Sequence, residues 1–256
     1  ELMRGYFGHF ADQLHLTWDE FFSLGKDGEN RDSKFSMSVL AMNFSQYVNG
    51  VSRIHARVSR DMFSYLYKGY FSRELHIDYV TNGVHHSTWT SKAWLNLYKQ
   101  TFSEAYLQDE SNDKYWKRIY EVEDSLIWNT HNNEKKNLIE FVKKRLKKDF
   151  TKRAENPQLY FQTINELTED KFVVGFARRF ATYKRANLLF TNLERLKQIV
   201  DSGVVFLFAG KAHPQDGAGQ NLIKRIIEIS KMPEFVGKII FLENYDMNLA
   251  KYLIHG

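Results

Sequence analysis

The chain has 256 residues, 43% of them hydrophobic and 26% charged, which is too apolar for a disordered segment and ordinary for a globular one. It contains no Cys, so disulfides, zinc–thiolate sites and thiol catalysis are excluded, and a reducing cytoplasm is compatible with that. Lys plus Arg (36) against Asp plus Glu (31) leaves +5, spread along the chain, which suits an anionic small ligand at least as well as nucleic acid. No window approaches the ~18 consecutive apolar residues of a membrane helix. The start, Glu1-Leu2-Met3-Arg4, shows neither an initiator Met nor a signal peptide. Aromatic residues reach 15%. A Phe-rich core is the ordinary reading and stacking on sugar rings the functional one, and composition does not choose between them.

The first 82 residues read as mostly helical. Apolar residues at helical spacing run from Tyr6 to Leu16, and Thr17 caps a short helix through Trp18-Asp19-Glu20 that Gly25 stops. Gly25 to Ser33 is polar, with two Gly, and reads as a loop. A helix is expected from Ser36 to Tyr47, then a break at the Asn49-Gly50 turn, then a helix from Ser52 to about Tyr67. His76 to Val80 reads as a short strand leading into a turn at Thr81-Asn82-Gly83. From Thr90 to about Asp149 the pattern is helical again. Within it, Glu134 to Phe150 sets Leu138, Ile139, Val142 and Leu146 on one face, with lysines over much of the rest. That lysine run reads as a solvated helix face, not a nucleic-acid surface.

After Pro157 the character changes. Lys171–Ala177, Gly203–Ala209 and Lys238–Leu242 are short apolar strands, alternating with helices expected over Tyr183–Val200, Asn221–Lys231 and from Asn248 onward. Strands apolar on both faces, alternating with helices, predict an α/β fold with a parallel sheet covered on both sides. Ligands of such sheets gather outside the carboxyl ends of the strands. Here the first strand ends in Arg178-Arg179-Phe180-Ala181-Thr182-Tyr183-Lys184-Arg185, four cations in eight residues. An arginine fork and a lysine point charge between a strand and a helix N-terminus make an oxyanion site. The second strand ends in Gly210-Lys211-Ala212-His213 and the third in Glu243-Asn244-Tyr245-Asp246. Taken singly, each end reads equally as a solvated loop or a cap. Three in register favour a phosphate-bearing ligand. The dinucleotide, P-loop, H-E-x-x-H and G-x-S-x-G patterns are all absent.

Five motifs occur in order: Val48-Asn49-Gly50-Val51-Ser52-Arg53-Ile54-His55, Thr81-Asn82-Gly83-Val84-His85, Arg178-Arg179 with Tyr183-Lys184-Arg185, Gly210-Lys211-Ala212, and Phe241-Leu242-Glu243-Asn244-Tyr245. Together they resemble the α-glucan (glycogen/maltodextrin) phosphorylase family, most of all its shorter bacterial and archaeal branch, over essentially the whole chain. The resemblance implies a fragment of a two-Rossmann-domain glycosyltransferase fold, a helical first part followed by half of a doubly wound parallel sheet. Residues 1–82 would close the N-terminal domain, 83–165 would form connecting helices, and 166–256 would be the first half of the C-terminal Rossmann-like domain. It further implies a cytoplasmic enzyme that passes terminal α-1,4-glucosyl units to inorganic phosphate with retention, giving glucose 1-phosphate. Pyridoxal 5'-phosphate is the family's cofactor and works through its own phosphate. The partners are the α-1,4-glucan and phosphate, with no nucleic acid, membrane or metal.

Residue by residue, Arg179 and Lys184 match the pair that binds substrate phosphate, and Asn82 the asparagine that binds glucosyl hydroxyls. Arg178, Lys211 and Tyr245 fall to the cofactor phosphate, although many relatives carry Lys where Arg178 stands. Ala181 and Gln46 replace histidines of longer relatives. The cofactor lysine, in a Glu-Ala-Ser-Gly-Thr segment, is not in this sequence, nor is the family's glycine-rich loop. The resemblance therefore implies an internal piece, inactive alone, with an open sheet edge that lowers stability or pairs with another copy as a homo-oligomer. Two alternatives stand beside it: a nucleotide-sugar glycosyltransferase of the starch or glycogen synthase kind, and a non-catalytic glucan-binding module.

Overall fold

A computed structural model describes residues 2–28 and 33–256, which fold as two compact units, Glu1–Val84 and His85–Gly256. The first unit contains helices α1 (Leu2–Gln13), α2 (Trp18–Ser23) and α3 (Met37–Phe44), strand β1 (Val48–Gly50), helix α4 (Arg53–Met62) and strand β2 (Ile77–Tyr79). Helix α2 starts as the sequence predicts. The Glu20 amide donates to Thr17 Oγ1 and the Thr17 amide to the Glu20 carboxylate, a reciprocal capping box. Part of the loop expected over Gly25 to Ser33 lies outside the described residues. Flanking it, Lys26 and Phe35 form an antiparallel bridge.

Asn49-Gly50 is not a turn. Both residues lie in β1, which pairs in parallel with β2 and sets Asn49 opposite Asp78. The glycine serves close packing instead, since a Cβ at Gly50 would sit 2.6 Å from the Ala56 amide nitrogen in the first turns of α4. Ser52 caps α4 by accepting from the His55 amide at 3.1 Å. The helix ends at Met62, short of Tyr67, and a 3₁₀ turn over Ser64–Leu66 follows.

The second unit runs through α5 (His86–Trp89), α6 (Lys92–Phe102), α7 (Asp113–Trp116), α8 (Asp124–Arg153), α9 (Pro157–Glu166), β3 (Phe172–Ala177), α10 (Leu193–Asp201), β4 (Val204–Ala209), α11 (Gly217–Ser230), β5 (Ile239–Leu242) and α12 (Met247–His255). The sheet is parallel throughout, in the order β3-β4-β5. Alternate residues of β4 face opposite sides, as the period of a strand requires. Val205, Leu207 and Ala209 pack with Leu138, Val142 and Leu146 of α8 and with Leu249 of α12. On the other face Phe208 packs with Leu196 of α10 and Ile226 of α11. Helices thus cover both faces of a parallel sheet, the α/β arrangement expected.

Part of the aromatic excess goes into packing. Tyr98, Phe102, Tyr106 and Trp116 cluster with the His86 ring, and neighbouring ring centroids stand 5.3 to 6.3 Å apart. Burial pushes the Tyr98 and Tyr106 hydroxyls above the usual phenol range. One lysine of the α8 run leaves the solvated face: Lys135 Nζ donates to the Lys171 carbonyl at 2.6 Å, just ahead of β3.

Candidate functional site

The parallel register sets Ala177 beside Ala209 and Ala209 beside Leu242, so the three strands exit side by side at Arg178, Gly210 and Glu243. The first two exits are tied together. The Arg178 amide donates to the Ala209 carbonyl at 3.1 Å, and the Phe180 amide to the Lys211 carbonyl at 3.0 Å. Gly210 makes that approach feasible. Its φ is +154°, and a Cβ there would lie 2.1 Å from the Arg178 carbonyl oxygen. Between the cations, Phe180 turns inward and is fully buried, its ring 5.6 Å from Phe176 and 5.8 Å from Phe241. The carbonyl of Phe180 abuts Gly219 in the first turn of α11, where a Cβ would come within 2.4 Å. A buried aromatic with glycines on two sides therefore pins the loop, and Arg178, Arg179 and Lys211 stay exposed at its rim.

The helix expected from Tyr183 does not form there. Thr182–Lys184 and Ala186–Phe190 are separate 3₁₀ turns, and α10 begins only at Leu193, capped by Asn192. Arg185 takes a left-handed conformation with φ +57°, which interrupts the right-handed path. An anion at this loop would be gripped by side chains and not by the N-terminus of a long helix. Lys184 is half-buried and its ammonium lies 4.4 Å from the Tyr183 ring centroid, a cation–π contact.

At the third exit, Tyr245 packs against the core cluster under α8, on the opposite face of the sheet from Phe180. Asn244 just before it is left-handed, φ +53°. Asp246 caps α12, accepting from the Leu249 amide at 2.7 Å. That bond, with Arg145 nearby, holds its carboxyl below the usual range. Two arginines from α8 reach this exit: Arg145 donates to the Glu243 and Asn244 carbonyls, and Arg153 pairs with the Glu243 carboxylate. The sequence reading missed both. Asn82 belongs to the first unit, where its amide donates to the Val51 carbonyl at 3.2 Å. The Val80 amide likewise donates to Gly50, so the two motifs of that unit lie side by side.

A cleft of about 250 Å³ lies along β5, away from the exit that bears Arg179 and Lys184. Most of its charged residues are already paired: Glu155 accepts from Arg153 and Lys231 at 2.7 Å each, and Arg153 pairs with Glu243. Burial alone would raise the Glu155 carboxyl, but these two cations hold it below the usual range. Among the described residues, no group of three or more His, Asp or Glu is placed to hold a metal, and no helix is long and apolar enough to cross a membrane.

Residues 13–256 match the profile of the carbohydrate phosphorylases, which takes in both units and every strand exit described above. The chain belongs to that family. It is 36% identical over 245 residues to the maltodextrin phosphorylase of Thermococcus litoralis. Over 248 residues it is 39% identical to the glycogen phosphorylase of Aquifex aeolicus, and over 244 residues 33% identical to that of Mycobacterium tuberculosis. The alignments take in 94–96% of this chain but only 28–35% of those relatives, so the chain spans about a third of their length. Within this phosphorylase chain, the pairing of adjacent exits brings Arg178, Arg179 and Lys211 to one rim, while Lys184 follows on the same loop. Phe180 is the anchor whose signal was available in advance, a phenylalanine directly after the two arginines in Arg-Arg-Phe-Ala-Thr-Tyr-Lys-Arg.

Proposed function

We propose that this chain is part of an α-glucan phosphorylase that passes a terminal α-1,4-glucosyl unit to inorganic phosphate, giving glucose 1-phosphate with retention. The observation that carries the reading is the backbone pairing of the Arg178–Arg179 and Gly210–Lys211 exits, which gathers exposed cations at the carboxyl end of a parallel sheet. A dianionic acceptor needs such a site. Arg179 would grip two of its oxygens with one fork and Lys184, released from Tyr183, would add a mobile charge. The glycosidic C1–O bond breaks, C1 joins a phosphate oxygen, and the departing glycosidic oxygen takes the proton that the attacking hydrogen phosphate gives up, becoming a sugar hydroxyl. The family resemblance assigns the glucosyl hydroxyls to Asn82. Family membership and the names of the relatives support the glucan as donor.

On this reading Arg178 and Lys211 would hold the phosphate end of pyridoxal 5'-phosphate. Arg178 and Lys211 are exposed cations on adjacent exits, and Gly210 keeps the backbone between them free of a side chain. When bound, that cofactor supplies a phosphate group for proton exchange with the substrate phosphate. On this reading residues 1–82 close an N-terminal domain, 83–165 connect, and 166–256 begin a second Rossmann-like domain. The test is glucose 1-phosphate formation from maltooligosaccharide and phosphate by the full-length protein and its Arg179→Ala variant. Losing a charge-assisted pair worth roughly 1.5–3 kcal/mol should weaken phosphate use by about 10- to 150-fold. Unaltered phosphate dependence in the variant would remove Arg179 from the site.

A further inference from the structure

The geometry points to Arg145 as the positioning residue that holds the Glu243–Asp246 loop, and through it Tyr245, in working register. This rests on the phosphorylase reading of the same strand ends. Arg145 lies in the C-terminal third of α8, a 30-residue helix, and its side chain is only 16% exposed. Its Nε and Nη2 donate to the Glu243 carbonyl at 3.2 and 2.8 Å, and Nη2 also donates to the Asn244 carbonyl at 2.8 Å. The same nitrogen stands 3.5 Å from the Asp246 carboxylate. One guanidinium therefore binds the two residues before Tyr245 and the one after it.

The loop needs such a brace. Asn244 sits in a left-handed conformation, which asparagine tolerates more readily than most non-glycine residues. Glu243 and Asn244 have left the β-ladder, so their carbonyls require donors from elsewhere. Two turns along α8, Arg153 engages the Glu243 carboxylate, which places a second contact on the same side of the loop. Tyr245 completes the arrangement by packing on the core cluster to which α8 contributes. A lysine would keep the charge and three donors on one nitrogen but lose the Nε bond that gives the Glu243 carbonyl its second donor. Arg145 spends these donors on its own backbone, so it acts through Tyr245 and not on substrate.

The experiment is a double-mutant cycle in the full-length protein: Arg145→Gln, Tyr245→Phe and both together. It reads kcat, KM for phosphate and for maltooligosaccharide, and melting temperature. Arg145→Gln should lower kcat roughly 10- to 100-fold, the cost of a misplaced active-site group, with little change in KM for glucan. In the Tyr245→Phe background the same change should cost at most about threefold, because the two residues act as one unit. If Arg145→Gln fails to fold, Arg145→Lys runs the same cycle with the charge kept. An undiminished kcat, or an equal cost in both backgrounds, overturns the assignment while phosphorolysis by the parent protein stands. A parent protein that forms no glucose 1-phosphate instead refutes the phosphorylase reading, and this assignment with it.

Discussion

Gly210→Ala tests the convergence of the first two strand exits directly. Its φ of +154° is one that L side chains rarely adopt, and holding alanine there costs about 1–3 kcal/mol. The added Cβ would also lie 2.1 Å from the Arg178 carbonyl oxygen, which is main chain and cannot swing aside. Relieving such an overlap by shifting backbone costs a further ~1–3 kcal/mol. The sum, roughly 2–6 kcal/mol, corresponds to a drop in melting temperature of about 4–24 °C at ~2–4 °C per kcal/mol for a unit of this size. Gly217→Ala is the control, since nothing lies within 4 Å of a Cβ there and alanine is the better helix former. Thermal unfolding of both variants by circular dichroism decides the matter. The two melting together would show that the exits are not packed as described. In the full-length protein, Gly210→Ala should also raise KM for phosphate, because the Arg178 and Lys211 loops can no longer share one rim.

Asp201 is held down to about 2 from an ordinary 3.8 by hydrogen bonds from Lys197 and Lys238, so its contribution is complete above about pH 4 and lost as pH falls through about 2. The stability gap between the native chain and Asp201→Asn should accordingly stay constant above pH 4 and close below it, as followed by urea unfolding across pH 2–6. A gap that persists at pH 2 would discard the ion pairs. The 256-residue chain by itself, supplied with pyridoxal 5'-phosphate, maltooligosaccharide and phosphate, should form no glucose 1-phosphate, since the family's cofactor lysine has no counterpart in it. Turnover at the rate of an intact phosphorylase would show that the cofactor is held in another way.

The elements legible in the sequence were those whose signal is local. The runs at Lys171–Ala177, Gly203–Ala209 and Lys238–Leu242 pointed to a parallel sheet because they are apolar on both faces, although the burial falls on β4 and β5 and Phe172 of β3 stays exposed. Thr17 and Glu20 declared a helix start because both partners of the capping box lie within one turn. The cations after β3 pointed to an anion site for the same reason. Other features carry no local mark. The Asn49-Gly50 dipeptide permits a turn or a close approach, and only the packing of Ala56 on β1 selects the second. Arg185 ends the right-handed path although its neighbours suit a helix, because the buried Phe180 and the cap at Asn192 set where the loop must run. Arg145 reads as one more cation in a lysine-rich helix. Its partners are carbonyls 98 and 99 residues away. Periodicity, capping and turn chemistry are properties of neighbouring residues, so the sequence by itself determined the three strands of the larger sheet, most of the helices around it and the charge at the strand ends. Which exits share a rim, and which arginine braces which loop, depends on distances that exist only once the sheet register brings remote segments together.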